Sequence, residues 1–312
     1  MTTNDIREVR VGARTVEASG VASFELTAIS GAPLPTAAPG SHIDIHLPDN
    51  GIRQYSLCGG DNWTIAVLRE PAGRGGSEWI HDNLHAGDPI SVSGPRNHFD
   101  LVDAEDYIFV AGGIGITPIL SMIRNLEAEQ RNQWRLVYGG RTRESMAFAD
   151  ELAGFGDRVV LAPQDECGLI DIDTALGTPK FGTAVYACGP EPLLQAMERG
   201  CRSWPPGSLH VERFVPVQVD STADRSFDVV AQKSGLTVTV DPGVSILEAL
   251  EAQGISVTSS CGEGVCGTCE TKVLAGEVDH RDAVLTEEER ATNSSMMICC
   301  SRTTKDRIIL DI

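Results

Sequence analysis

Three cysteines fall within one short run, Cys261-Gly262-Glu263-Gly264-Val265-Cys266-Gly267-Thr268-Cys269, and two more, Cys299 and Cys300, follow downstream. A C-x4-C-x2-C run with a distant fourth thiol is the spacing that holds a [2Fe-2S] cluster, three thiolates coming from one loop and the fourth from a strand elsewhere. A chain wrapped around such a cluster must bring its backbone close to the inorganic sulfurs. Gly262, Gly264 and Gly267 remove Cβ atoms there and let N–H groups point inward. Two other chemistries compete. Structural zinc usually pairs two C-x2-C or histidine-bearing knuckles; here only one such pair exists, and the nearby His280 lacks a partner in the sequence. Buried free thiols give no reason for three cysteines among glycines in so short a run. Cys299 and Cys300 both remain open as the fourth ligand.

The start, Met1-Thr2-Thr3-Asn4-Asp5-Ile6-Arg7, has no apolar signal core, so a cytoplasmic chain is expected. There thiols stay reduced, and the nine cysteines read as metal ligands or small buried hydrophobes before they read as disulfides. No run approaches the roughly 18 apolar residues of a membrane span, because the most apolar stretch, Tyr107 to Leu120, is broken by glycines and a proline. The formal charge of −19 repels phosphate backbones and anionic lipid, which argues against nucleic acid and membrane partners and for a basic protein partner. The excess is slightly denser in residues 226–312. A length of 312 residues allows two or three domains.

Punctuation and pattern divide the chain further. β-rich runs at Glu8–Val16, Phe24–Ala28, His42–Leu47, Arg53–Leu57, Thr64–Leu68 and Pro89–Ser93, with one short helix near Ser77–Leu84, predict an antiparallel barrel over residues 1–100. From Tyr107 the rhythm becomes strand, glycine turn, helix, with Thr117 placed to cap and Pro118 at the first helical position. Strands at Arg135–Tyr138, Arg158–Leu161 and Thr183–Ala187 alternate with helical stretches near Glu144–Leu152 and Pro190–Glu198. This predicts βαβ units and a parallel sheet over 101–212. A polar, aperiodic linker, 213–225, precedes a third unit, 226–312: a hairpin, a helix opened by the capping box Ser245…Glu248, and the cysteine loop.

The cysteine loop, Asp279-His280-Arg281-Asp282, Cys299-Cys300-Ser301-Arg302 and the terminal Leu310-Asp311-Ile312 resemble the ferredoxin domain of the phthalate dioxygenase reductase and vanillate demethylase reductase family. That family supplies electrons to Rieske-type oxygenases. The resemblance covers essentially the whole chain and implies an antiparallel flavin barrel, an α/β nucleotide domain of ferredoxin reductase type and a C-terminal α+β β-grasp domain. Its Cys-x-Ser-Arg ending places the fourth ligand at Cys299, beside Cys261, Cys266 and Cys269, and leaves Cys300 a bystander.

The same resemblance reads Arg53-Gln54-Tyr55-Ser56 as a flavin motif. Arg53 can hold a phosphate, Tyr55 can lie along the ring or ribityl chain, and the Ser56 hydroxyl can approach the redox-active N5. Gly75, Gly76 and Ser77, in a glycine run that opens a short helix with Ser77 at the cap, offer an anion nest. Gly113, Gly115 and Thr117, in Gly112-Gly113-Ile114-Gly115-Ile116-Thr117-Pro118, stand where a nucleotide turn belongs, between strand and helix. Pro118 replaces the last glycine of G-x-G-x-x-G, which agrees with this family rather than an ordinary dehydrogenase. Cys188-Gly189-Pro190 resembles the second nucleotide signature, whose cysteine sits near the nicotinamide. Phe214 resembles an aromatic residue placed against the flavin. Arg141 and Arg143 are candidates for the adenosine ribose.

Domain order implies FMN, and the family prefers NADH. A nicotinamide gives two electrons as one hydride and a [2Fe-2S] cluster takes one at a time, so a flavin must stand between them. The expected protein is a monomeric NADH-dependent oxidoreductase that passes electrons through FMN and the cluster to a Rieske-type oxygenase. A haem monooxygenase is the alternative acceptor, and a redox-sensing iron–sulfur protein the alternative class.

Overall fold

The computed structural model describes residues 6–49, 51–60, 62–131, 133–217 and 219–312. The polar start at Met1–Asp5 lies outside the described residues. The chain divides into two compact units, Met1–Glu212 and Arg213–Ile312.

The first unit opens with strands β1 (Arg7–Ala18), β2 (Val21–Ala28), β3 (His42–His46), β4 (Ile52–Ser56) and β5 (Trp63–Leu68), then helix α1 (Gly76–Asn83) and strand β6 (Pro89–Arg96). They form one antiparallel sheet in the order β4-β3-β6-β1-β2-β5. Alternation turns Val9, Val11, Phe24, Leu26, Ile43, Ile45 and Val92 into a common interior. The edges β4 and β5 meet through a bridge between Leu57 and Ile65, and the Cys58 N–H donates to the Thr64 carbonyl at 2.8 Å. Such closure removes the open edges of the sheet.

A parallel sheet follows: β7 (Asp106–Gly112), α2 (Ile116–Ala128), β8 (Trp134–Gly140), α3 (Ala149–Ala153), β9 (Val159–Pro163), α4 (Gln164–Cys167), α5 (Ile172–Leu176), β10 (Thr183–Cys188), α6 (Glu191–Gly200) and β11 (Leu209–Glu212). The order is β11-β10-β7-β8-β9. Central β7 and β10 are apolar without alternation because helices cover both faces. The expected helix over Glu144–Leu152 is a 3-10 turn at Arg143–Ser145 and then the short α3. Phe148, with a left-handed φ of 61°, separates the two. Barrel and sheet share an interior in which Val21, Cys58, Ala66 and Phe99 pack with Phe109, Ile119 and Tyr138. Helix α2 sits at that junction. Its Ser121 Oγ accepts the Gly40 N–H at 2.9 Å, and its Arg124 donates to the Cys58 carbonyl at 3.0 Å.

The second unit contains β12 (Phe227–Ala231), β13 (Leu236–Val240), α7 (Ile246–Ala252), β14 (Glu270–Ala275), β15 (Val278–Asp279), α8 (Glu287–Thr292), β16 (Ser295–Met297), β17 (Arg302–Thr303) and β18 (Arg307–Leu310). Its main sheet runs β13-β12-β18-β14-β16, with β12 and β18 parallel. Helix α7 starts on a reciprocal cap: Ser245 Oγ accepts the Glu248 N–H at 3.1 Å, and Glu248 Oε2 accepts the Ser245 N–H at 2.8 Å. Ile246 and Leu250 of α7 pack on Phe227, Val229, Ile308 and Leu310. Among the described residues, no helix is long and apolar enough to cross a membrane.

Candidate functional site

Strand β4 carries Arg53, Gln54, Tyr55 and Ser56. Register with β3 sets Arg53 opposite Ile45 and Tyr55 opposite Ile43, on the barrel's apolar side, while Gln54 and Ser56 face the other way beside Asp44 and His42. Gln54 Nε2 donates to Asp44 Oδ1 at 3.0 Å. Ser56 is buried. Burial pushes the Tyr55 hydroxyl up to about 12, against the opposing pull of Arg53 and Arg74.

The structure brings Arg53 to the start of α1. Its Nη2 donates to the Arg74 carbonyl at 2.9 Å, and a Cβ on Gly76 would stand 2.5 Å from its Nε. Gly75, at φ +78°, caps the helix, and the first N–H groups of α1 lack intrahelical partners. Ser77 is not the cap. It is the second residue of the helix, where its Oγ accepts the Glu70 N–H at 3.0 Å and ties the glycine run to the end of β5. A guanidinium beside unpaired helix N–H groups, in a space that a side chain would fill, fits a flavin phosphate.

At the C-terminal ends of β7 and β10 the two nucleotide signatures interlock. A Cβ on Gly112 would stand 2.7 Å from Pro190 Cδ, and one on Gly189 would stand 3.0 Å from the Gly112 Cα. A Cβ on Gly115 would meet the Cys188–Gly189 peptide, 2.7 Å from the Gly189 nitrogen. Thr117 does not cap α2. The helix begins at Ile116 after a 3-10 turn at Gly113–Gly115, and Thr117 Oγ1 donates back to the Ile114 carbonyl at 3.0 Å. Close backbone approach at the carboxyl ends of parallel strands, next to a helix start, fits a dinucleotide.

Cys188 is fully buried, and burial with the neighbouring Glu212 holds its thiol well above the usual range. Its Sγ lies 4.0 Å from Glu212 Oε2. The sequence marks Glu212 only as the start of the Glu212-Arg213-Phe214 segment and gives its carboxyl no role, because the four-residue strand β11 that pairs it with Cys188 has no period to read. Burial pushes its carboxyl up to about 8. Arg143, a ribose candidate, is held by Glu166 in a two-toothed ion pair at 3.1 and 2.8 Å; Arg141 is exposed. Phe214 belongs to the second unit and is 41% exposed.

In the second unit Cys261, Cys266, Cys269 and Cys299 are all buried. Cys261 and Cys266 touch, and Cys299 touches Cys261 and Cys269. Hydrogen bonds among these thiols draw Cys261 below the usual thiol range and push Cys266 and Cys299 up. Among the described residues no three such side chains converge on one ion. Thiols in adjoining pairs fit two irons with two cysteines each. The Glu263 N–H points at Cys261 Sγ, 3.3 Å away, as the glycine-rich loop requires. Cys300 touches Cys299 and lies over Gly264, where an added Cβ would strike its sulfur.

Comparison with known proteins agrees with this geometry. Residues 229–304 match the 2Fe-2S iron-sulfur cluster binding domain, and residues 109–160 match the oxidoreductase NAD-binding domain. The phthalate 4,5-dioxygenase oxygenase reductase subunit of Pseudomonas putida is 40% identical over 313 residues, 97% of this chain and 96% of that protein. A solved structure of phthalate dioxygenase reductase, described as modular for electron transfer from pyridine nucleotides to [2Fe-2S], is 36% identical over 98% of both chains with a TM-score of 0.72. An intact type IV self-sufficient cytochrome P450 monooxygenase is 44% identical over 98% of this chain with a TM-score of 0.91; the chain spans 41% of its length. The chain belongs to the phthalate dioxygenase reductase family of NADH-dependent flavin and [2Fe-2S] oxidoreductases.

Proposed function

We propose that the protein is the reductase component of an oxygenase system, carrying electrons from NADH through FMN and a [2Fe-2S] cluster to a Rieske-type oxygenase. The observation behind this reading is that one chain supplies all three binding sets: a phosphate cradle at Arg53 and α1, an interlocked nucleotide turn at Gly115 and Cys188, and four buried thiols in adjoining pairs. When bound, the flavin converts the electron pair of a hydride into single electrons, which the cluster accepts one at a time.

The protein's own residues bind, orient and exclude water. Arg53 and the N–H groups of Gly76 and Ser77 would hold the phosphate, Tyr55 would bind the ring system, and Ser56 would supply it a hydroxyl. Gly113, Gly115 and Thr117 let the NADH pyrophosphate approach the backbone. Cys188, a buried neutral thiol, and Gly189-Pro190 would shape the nicotinamide pocket. Arg143 pairs with Glu166 at the surface. In this reading residues 1–100, 101–212 and 226–312 are the flavin, nucleotide and cluster modules, 213–225 is the linker, and the protein works as a cytoplasmic monomer.

A second reading has a haem monooxygenase as acceptor. The likeness to part of a self-sufficient cytochrome P450 supports it. The test is anaerobic reduction by NADH of purified enzyme mixed with either a Rieske oxygenase or a cytochrome P450. Faster reduction of the Rieske centre is expected. Protein with no flavin spectrum, and none recovered on adding FMN, would refute the central reading.

A further inference from the structure

Residues 213–226, which open the second unit, contain no helix or strand among the described residues. Near their end stands a buried carboxylate, Asp224, whose side chain is 7% exposed. Its Oδ1 accepts from Arg281 Nη2 at 2.6 Å and its Oδ2 from Arg281 Nη1 at 3.0 Å. Arg302 Nε lies 3.5 Å from the same Oδ2. The Arg281 bonds hold the carboxyl below its ordinary range.

Each arginine holds more than Asp224. Arg302 donates to the carbonyls of Val244 at 2.7 Å, Arg225 at 3.1 Å and Asp241 at 3.2 Å, and it lies over the Phe227 ring at 4.8 Å. It also follows Cys299 closely in the chain. Arg281 donates to Asp279 at 2.8 Å, and its backbone N–H donates to Ser301 Oγ at 3.1 Å. Ser301 Oγ in turn donates to Asp282 Oδ1 at 3.4 Å. The Asp282 Cα lies 3.1 Å from where a Cβ on Gly264 would stand, and the Ala283 N–H donates to the Gly264 carbonyl at 2.8 Å. A continuous run of contacts therefore joins Asp224 to the cysteine loop at Gly264 and to the strand after the fourth ligand.

We infer that Asp224 is a positioning residue for electron delivery to the cluster, fastening the end of the linker to the two segments that frame the cluster site. The inference rests on the relay proposed above. With the clamp in place, the free tether ends before Asp224. Without it, the tether runs on to β12, and Arg281 and Arg302 lose the carboxylate they share. A longer, looser tether lowers the effective concentration of one redox site at the other. The step served is a one-electron transfer in which reduced flavin is oxidised and the cluster is reduced.

The test is stopped-flow mixing of the full-length holoenzyme with NADH in the absence of oxygen, comparing wild type with Asp224→Ala, Asp224→Asn and Asp224→Glu. Flavin bleaching by NADH should be unchanged in all four, and iron content and cluster absorption should stay at wild-type levels. Reduction of the cluster should slow by about 1.5-fold in Asp224→Ala, slow less in Asp224→Asn, and recover in Asp224→Glu. Cluster reduction at the wild-type rate in a fully loaded Asp224→Ala protein overturns the inference. Loss of the cluster from both Asp224→Ala and Asp224→Asn also overturns it, because the residue then serves folding alone. A wild-type cluster that is not reduced through the flavin overturns the relay itself.

Discussion

A Cβ placed on Gly115 would stand 2.5 Å from the carbonyl carbon of Cys188 and closer still to its oxygen. The turn after β7 and the end of β10 are thus held at backbone contact, and neither can retreat without displacing its strand from the sheet. Gly115→Ala is expected to destabilise the first unit by about 1–3 kcal/mol, the usual cost of overpacking. It should also raise the KM for NADH while FMN and cluster absorption stay intact. Steady-state NADH oxidation with ferricyanide checks the first effect on substrate, and thermal unfolding checks the effect on stability. A normal KM would show that the contact has no part in binding the nucleotide.

Arg53 and Gly76 form the other cradle. Removing a charged donor from a phosphate costs about 1.5–3 kcal/mol, so Arg53→Ala should weaken FMN binding about 10- to 100-fold. Arg53→Lys keeps the charge but not the fork and should fall between. Titration of flavin-free protein with FMN, followed by flavin fluorescence, gives the Kd directly.

Glu212 gives a pH dependence whose sign is fixed by its burial. In the folded chain its carboxyl keeps the proton up to about pH 8, whereas an ordinary glutamate releases it near 4.5. Between those values the folded state binds more protons than the unfolded one, so this group's stabilising contribution, full below the lower value, is lost as pH rises to the upper one. Wild type should therefore lose stability relative to Glu212→Gln from about pH 5 to about pH 8 and run parallel to it above. Urea unfolding midpoints at several pH values test this; a constant difference would count against the buried carboxyl.

Cys299 touches Cys261 and Cys269, whereas Cys300 touches Cys299 and lies over Gly264. Cys299→Ser should abolish the visible absorption of the cluster, and Cys300→Ser should keep it. The opposite pattern would move the fourth ligand by one residue.

These residues also mark what the sequence could and could not disclose. The cysteine spacing, the alternating strands of the barrel and the Ser245…Glu248 cap are local patterns, and local patterns leave a period or a fixed spacing to read. Cys299 was separable from Cys300 only by resemblance, since spacing admits both. Glu212 and Asp224 lay beyond such reading. One depends on a four-residue edge strand, the other on arginines 57 and 78 positions downstream, and no periodicity encodes a partner at that distance. Thr117 and Ser77 fail differently. Each has the chemistry of a cap, but the backbone starts its helix earlier, on Gly115 and Gly75, and leaves the hydroxyls to other bonds. At Phe148 a left-handed residue interrupts a helical pattern, a conformation disfavoured for a large side chain and therefore not anticipated from it.

The interior that Val21, Cys58, Ala66 and Phe99 share with Phe109, Ile119 and Tyr138 bears on how such a chain can be rebuilt by gene rearrangement. A cut near residue 100 would expose both halves of that interior to water, and neither piece would keep the apolar cover the other provides. A cut after Glu212 spares it. Recombination therefore has a clean joint at one place, and what it can carry away whole is the block that collects electrons, free to be spliced to a different means of discharging them.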